Sequence, residues 1–280
     1  MIVDLETARY GIYVQCAMDA FMADPTNLAP PPDPRLAPDW EVIGQLIAHD
    51  ALLPQGAPLV LGGTVNYGFL ARSTADPLDH LAVIRGTADT VEWIEDGEFR
   101  PVLHPVAGKV EQGFWGIHSS MALVLPGQQP AKAADAILAA LGGSGRVTVV
   151  GHSLGAPLAT YLTLELAYSL KGRLRGRFIA SPRPGDTAFG EAFDTWVSDY
   201  RVYNYELDVV PRVPFGPDYA DLPQVTWLKH GGTQARIKLN LGCHHHVLCY
   251  SAQLAYGATD WATLPAIDQS YVTCILGPIA

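Results

Sequence analysis

The sequence predicts an α/β fold, a mostly parallel central sheet with helices on both faces. Three observations carry that prediction. β-branched apolar runs alternate along the chain with segments whose apolar residues recur at helical spacing, and such alternation builds parallel ladders through helical crossovers. Only 16% of the 280 residues are charged and 49% are hydrophobic, a balance that suits a sheet covered on two faces and excludes a disordered or coiled-coil chain. Finally, a β-branched strand runs directly into a serine flanked by glycines and then into a helical stretch, from Arg146 through Gly151, Ser153 and Gly155.

Taken in order, residues 5–21 place apolar side chains at helical spacing, and Asp24-Pro25 ends that helix. Residues 29–39, APPPDPRLAPD, are too proline-rich for helix or strand. They read as a wrap over the surface of one domain, because the flank before them is too short to fold alone. Residues 60–70 and 80–84 read as strands, the second a continuous apolar run suited to burial on both faces. Residues 131–141 form an apolar-striped helix ended by Gly142-Gly143; residues 146–150 form a strand and 156–170 a helix. Short strands follow at 178–180 and 201–204, with a helix around 189–197 between them. A single domain over 1–280 is expected, with the helix and proline-rich wrap in 1–58 and the core in about 60–256.

The formal net charge is −10 and the pI is near 5.2. That charge argues against an electrostatic grip on nucleic acid or anionic lipid, so any lipid partner is held by apolar contact. No apolar run reaches the roughly 18 residues of a membrane-spanning helix, and the first residues lack a signal peptide's pattern. The chain reads as soluble, either cytoplasmic or secreted with a leader not present in this chain. Four cysteines, Cys16, Cys243, Cys249 and Cys274, are too few for a disulfide framework in so long a chain and read as small buried thiols.

Gly151-x-Ser153-x-Gly155 carries the chemistry. A triplet of this kind arises by chance on the order of 0.1 to 0.2 times in such a chain; its strand-turn-helix setting is what a nucleophile elbow requires. Glycines there remove Cβ atoms that would collide, so the serine can hold a strained backbone and project its hydroxyl at a helix N-terminus. A serine nucleophile needs a base and a carboxylate to orient it, following in the chain order Ser, Asp or Glu, His. Downstream acids near strand ends are Glu206 and Asp208; downstream histidines are His230, His244, His245 and His246. His152 adjoins the serine and cannot fold back as its base.

These residues resemble the class 3 lipases, the family of the fungal triacylglycerol lipases, over roughly residues 60–256. Ala82-Val83-Ile84-Arg85-Gly86-Thr87 resembles the strand and turn of the oxyanion hole, and Trp93 with Asp96 resembles the lid segment. Gly113-Phe114 resembles the glycine-aromatic pair before the long helix that precedes the elbow, and Ser181-Pro182-Arg183-Pro184-Gly185 a strand end. The stretch 204–214, with Asp208 shortly before a Val-Pro pair, resembles the one that carries the acid.

The resemblance implies an α/β-hydrolase fold, with Ser153 as nucleophile, Asp208 as acid and Glu206 as a solvated loop residue. It implies an oxyanion hole made by the backbone N–H groups of Thr87 and Leu154. Many members place the base five residues before a tyrosine, which His245 and Tyr250 match; His246 is the alternative, then His244. The fungal spacing of three is met by no histidine here, and Ala156-Pro157 replaces the frequent Gly-Ala pair after the elbow, which the first turn of a helix tolerates.

The expected function is hydrolysis of carboxylic esters through an acyl-enzyme, with a triacylglycerol lipase as first reading. The alternatives are a short-chain or phenolic-ester esterase, then a phospholipase or acyltransferase, and, in a different class, a binding module without turnover. No cofactor and no metal are expected: Cys243-His244-His245-His246 with Cys249 offers zinc's ligand types but not its paired spacing. The expected partner is a small-molecule ester or lipid, not a nucleic acid. Residues 88–96 form either a core-facing helix or a lid that touches a lipid interface transiently. Trp115, Trp227 and the stretch 215–219 are candidate acyl-pocket residues but are assigned no substrate role.

Overall fold

The computed structural model describes residues 2–50, 63–87 and 99–279. Its strands are β1 (Trp40–His49), β2 (Thr64–Ser73), β3 (Asp79–Ile84), β4 (Pro101–Leu103), β5 (Lys109–Glu111), β6 (Ala122–Val124), β7 (Ala131–Lys132), β8 (Arg146–His152), β9 (Leu174–Ile179), β10 (Tyr200–Tyr205), β11 (Val225–Leu228), β12 (Ala235–Ile237) and β13 (Ile275–Pro278). Nine of these form one sheet in the order β11-β10-β9-β8-β3-β2-β1-β6-β7. The half from β3 to β11 is parallel, as the β and α alternation predicts. From β3 outward through β2, β1, β6 and β7 the pairing is antiparallel. The pairs β4-β5 and β12-β13 make separate ribbons.

Helices α1 (Leu5–Ala23), α2 (Gln112–Ser119), α3 (Ala133–Leu141), α4 (Gly155–Leu170), α5 (Thr187–Trp196), α6 (Leu241–His245), α7 (Val247–Leu254) and α8 (Ser270–Cys274) accompany the sheet. Side chains of β3 explain how it is covered. Ala82 and Ile84 enter the apolar cluster that holds α2, α3 and α4, whereas Leu81 and Val83 enter the one that holds α1 and α7. Successive side chains of a strand point to opposite faces, so a continuous apolar run marks a strand buried on both. At α1, Asp4 caps the helix by accepting from Thr7 N at 3.0 Å, and its carboxylate also takes Arg201 Nη1 and the Tyr203 hydroxyl from β10. Among the described residues no helix is long and apolar enough to cross a membrane.

Three features differ from the sequence reading. Residues 1–58 hold more than a helix and a wrap, because β1 lies inside the sheet. Register shifts between Val42 and Gly44 and between Leu46 and Ile47 interrupt its pairing with β2, and so erase the two-residue period that betrays a strand. Gly113-Phe114 lies within α2 rather than ahead of a long helix, and the helix before the elbow strand, α3, is short. The cysteines also differ: Cys243 and Cys274 form a disulfide, while Cys16 and Cys249 are buried thiols as expected. Connectivity across 31 residues leaves no mark in a sequence. Between 29 and 39 no helix or strand forms, in keeping with the proline density.

Candidate active site

The turn from β8 into α4 fixes Ser153 at φ 55°, in the left-handed region that residues with a Cβ rarely enter. The neighbouring glycines show why this geometry is confined to this sequence. A Cβ on Gly151 would stand 2.1 Å from the carbonyl oxygen of Gly155, and one on Gly155 would stand 2.4 Å from that of Arg85. Across the sheet, a Cβ on Gly86 would approach the Ser153 Cβ to 2.9 Å, so the β3 turn is pressed against Ser153. The Ser153 N–H donates to Ile179 O on β9 at 3.0 Å. Leu154 is the N-cap residue of α4, where backbone N–H groups lack helical acceptors and the helix dipole favours negative charge.

Asp208 follows the end of β10 and is 1% exposed. Its Oδ1 accepts from Val210 N at 3.0 Å, and its Oδ2 accepts from the Tyr250 hydroxyl at 2.8 Å. That hydroxyl in turn accepts from Tyr205 N at 2.8 Å, so the tail of β10, the acid and α7 are tied at one oxygen. The same Oδ2 lies 2.8 Å from His245 Nδ1, and His245 Nε2 lies 2.8 Å from Ser153 Oγ. Acid, imidazole and hydroxyl therefore form one continuous hydrogen-bonded line.

The three consecutive histidines part company. His244 Nδ1–H donates to Leu207 O at 3.1 Å while its Nε2 accepts from Asn240 N. His245 closes α6 and faces Ser153. His246 caps α7, accepting from Leu248 N at Nδ1, and its Nε2 lies 3.4 Å from Asp268. His230 meets the Tyr205 hydroxyl, and Glu206 accepts from His230 N and pairs with Lys229, so neither joins the line.

Sequence reasoning gave two neighbours no role in positioning the site. His152 Nε2–H donates to the carbonyl of His245 at 2.8 Å, and the two rings lie 4.8 Å apart. Burial, and then the charge of His245, hold the His152 imidazole well below its usual pKa, so a neutral ring backs His245. Tyr250, quoted only for its spacing, touches the acid itself. The Gx-Ser-xG pattern gives no signal for either contact, because both depend on where α6 and α7 return to the sheet.

Thr87 is the last described residue before 99, so the lid reading at 88–96 lies outside the described residues. Trp115 belongs to an aromatic group with His104 and Tyr161, Trp227 lies under Arg212, and Phe215 is exposed. Among the described residues no group of three or more His, Cys, Asp or Glu side chains is placed to hold a metal ion.

A family model described as lipase (class 3) matches residues 81–217, which include Thr87, Ser153 and Asp208. No curated protein sequence matches the chain. Among solved structures, Rhizomucor miehei triacylglyceride lipase is 20% identical, covering 80% of this chain and 79% of its own at a TM-score of 0.58. The Rhizomucor miehei lipase propeptide complex is 21% identical, covering 80% and 67% at 0.58. A lipase from Rhizopus microsporus var. chinensis is 21% identical, covering 80% and 73% at 0.57. At these identities the likeness is one of fold.

Proposed function

From a chain whose residues 81–217 match the class 3 lipase family, we infer that it is a serine hydrolase that cleaves carboxylic esters, with triacylglycerols as its substrate class. The unbroken line from Asp208 through His245 to Ser153 carries the reading. With its proton on Nδ1, held by Asp208, His245 presents a lone pair to the Ser153 hydroxyl. It takes that proton as Oγ attacks the ester carbonyl, and the imidazolium so formed is stabilised by Asp208. Negative charge on the former carbonyl oxygen is received by the backbone N–H groups of Thr87 and Leu154, each such donor being worth roughly 100- to 1000-fold in rate. His245 then protonates the departing alcohol. Water, deprotonated by the same imidazole, releases the acid from Ser153.

A binding module without turnover has no use for a nucleophile in the left-handed region or for a buried acid with three donors, arrangements that carry a conformational and desolvation penalty. Exposed apolar side chains close in sequence to Asp208 and His245, namely Val209, Leu239 and Leu241, suit an acyl chain or lipid surface better than a polar ester. A single domain over 1–280 accommodates this reading, since the residues given roles follow the ends of β3, β8 and β10 and close α6.

The test is labelling by a serine-directed phosphonate alongside hydrolysis of a tributyrin emulsion. Wild type labels once and hydrolyses, and Ser153→Ala does neither. A folded wild type that fails to label, with Ser153→Ala behaving identically, removes the hydrolase reading. Turnover of soluble short esters with none of tributyrin or triolein emulsions moves the substrate class to an esterase's.

A further inference from the structure

Arg85 is a large charged side chain buried to 1% exposure in the middle of the molecule, one residue before the turn that carries Thr87. Its backbone N–H continues the β2 pairing through Tyr67 O, and its guanidinium is held between the rings of Phe21, 3.5 Å from the centroid, and Tyr67, 4.6 Å away. Nε donates to Asn66 O at 2.8 Å and Nη1 to the carbonyl oxygen of Gly86 at 2.6 Å, while Nη2 is buried without a hydrogen-bond partner among the described residues. Burying a cation to hold two carbonyl groups is a strong preference for one geometry, because a guanidinium removed from water is tolerated only where its contacts are good.

The carbonyl of Gly86 and the N–H of Thr87 belong to one peptide unit. That unit is planar and trans, so C=O and N–H point in opposite directions, and whatever fixes the oxygen aims the hydrogen. A cation at the oxygen also draws electron density through the amide, which makes the N–H a stronger donor. We propose that Arg85 is a positioning residue of the oxyanion hole, which clamps and polarises the Gly86–Thr87 peptide from behind so that the Thr87 N–H meets the ester's developing oxyanion. This rests on the hydrolase reading above and on Thr87 as a donor. The guanidinium acts from behind: Gly86 lies against Ser153, and the charge sits at the carbonyl end of the peptide, opposite the Thr87 N–H. Burial lowers the Arg85 pKa to about 10, with Tyr67 and Asp50 opposing, so the group stays a cation at neutral pH.

A thionoester distinguishes this role from general scaffolding. Sulfur is a poor acceptor, so an oxyanion hole contributes much to an oxoester and little to its thiono analogue, and the ratio of their kcat/KM values reports the strength of the hole. For Arg85→Met, which keeps bulk and removes charge and donors, the expected result is a 10- to 100-fold fall in kcat on the oxoester, little change in KM, and a ratio reduced at least fivefold. Arg85→Lys retains the charge but not the fork and falls between. Phe21→Leu loosens the ring sandwich at a half-buried position, where folding is tolerant, and shifts the ratio in the same direction by two- to threefold. An unchanged ratio in the variants that fold, whether or not kcat falls, overturns the proposal, since misaligned catalytic groups slow both esters equally. Failure of the hydrolase reading is distinguishable, because wild type and Ser153→Ala then hydrolyse neither ester.

Discussion

A single carboxylate oxygen, Asp208 Oδ2, receives both the imidazole of His245 and the hydroxyl of Tyr250. Removing the tyrosine hydroxyl takes away one of the three donors that hold the Asp208 carboxylate towards the ring. Tyr250→Phe is therefore expected to lower kcat by roughly tenfold with KM unchanged, the size of one hydrogen bond to a charged group. Steady-state kinetics on a soluble ester measure it; a rise in KM with kcat intact would place Tyr250 in substrate binding instead. The oxygen-sharing arrangement was partly legible. Ser153 and Asp208 are nameable because the elbow and the Asp-Val-Val-Pro stretch are local patterns. Among the three histidines the five-residue spacing to Tyr250 favours His245, which is the one that meets Ser153, but the directions of the other two depend on where one short helix stops and the next starts. His246 caps α7, and that boundary turns its ring away from Ser153 towards Asp268.

At the level of elements, His245 rides on α6, a helix of only five residues. Three ties hold it. Asn240 caps it, His152 grips its last carbonyl, and the Cys243–Cys274 disulfide joins it to the end of α8. Next to the bridge, Lys238 N donates to Cys274 O and β12 pairs with β13, so the segment 270–278 acts as a splint for the helix that carries His245. Cys274→Ser, or treatment with a dithiol, is expected to cut kcat several-fold and to lower stability by about 2–4 kcal/mol. Chemical denaturation and ester kinetics on the same sample read both effects. If stability falls while kcat holds, the splint is only structural. Covered strands were legible from their apolar runs. β1 was not, because its register shifts break the period, and neither was the disulfide, because pairing is a property of the folded chain.

Across the whole molecule the sheet divides its labour. The parallel half carries Ser153 and Asp208 at the exits of β8 and β10, and the antiparallel half extends the face on which α2 and α3 lie. Alternation in the sequence announces the first half, and nothing local announces the second. Helix α4 is tied to that side by Glu165, which meets His118 of α2 and Lys132 of β7. Burial pushes the Glu165 carboxyl up, but the contacts with His118 and Lys132 outweigh it and hold the pKa at about 2. A folded-state pKa below the unfolded value near 4.5 means that this stabilisation is complete above about pH 5 and is lost as the pH falls from there towards 2. Glu165→Gln is expected to lower Tm at pH 6 and to flatten its decline between pH 5 and 3, by on the order of 1–2 kcal/mol after allowance for partial exposure. Parallel Tm curves for variant and wild type would show that the carboxylate is not a source of acid lability.

Helix α1 and α7 touch along their length: Asp4 N donates to Leu254 O, and a Cβ on Gly11 would strike the Ser251 hydroxyl. They are made far apart in time. At a synthesis rate of roughly 5–20 residues per second, α1 waits on the order of 10 to 50 seconds for the surface that covers it, and during that interval it is a natural client for a chaperone. Ser153 emerges well before His245, so in a growing chain its hydroxyl has no imidazole partner beside it. The line from Asp208 to Ser153 therefore stays open until α6 has been made, a delay written in nothing but the order of its parts.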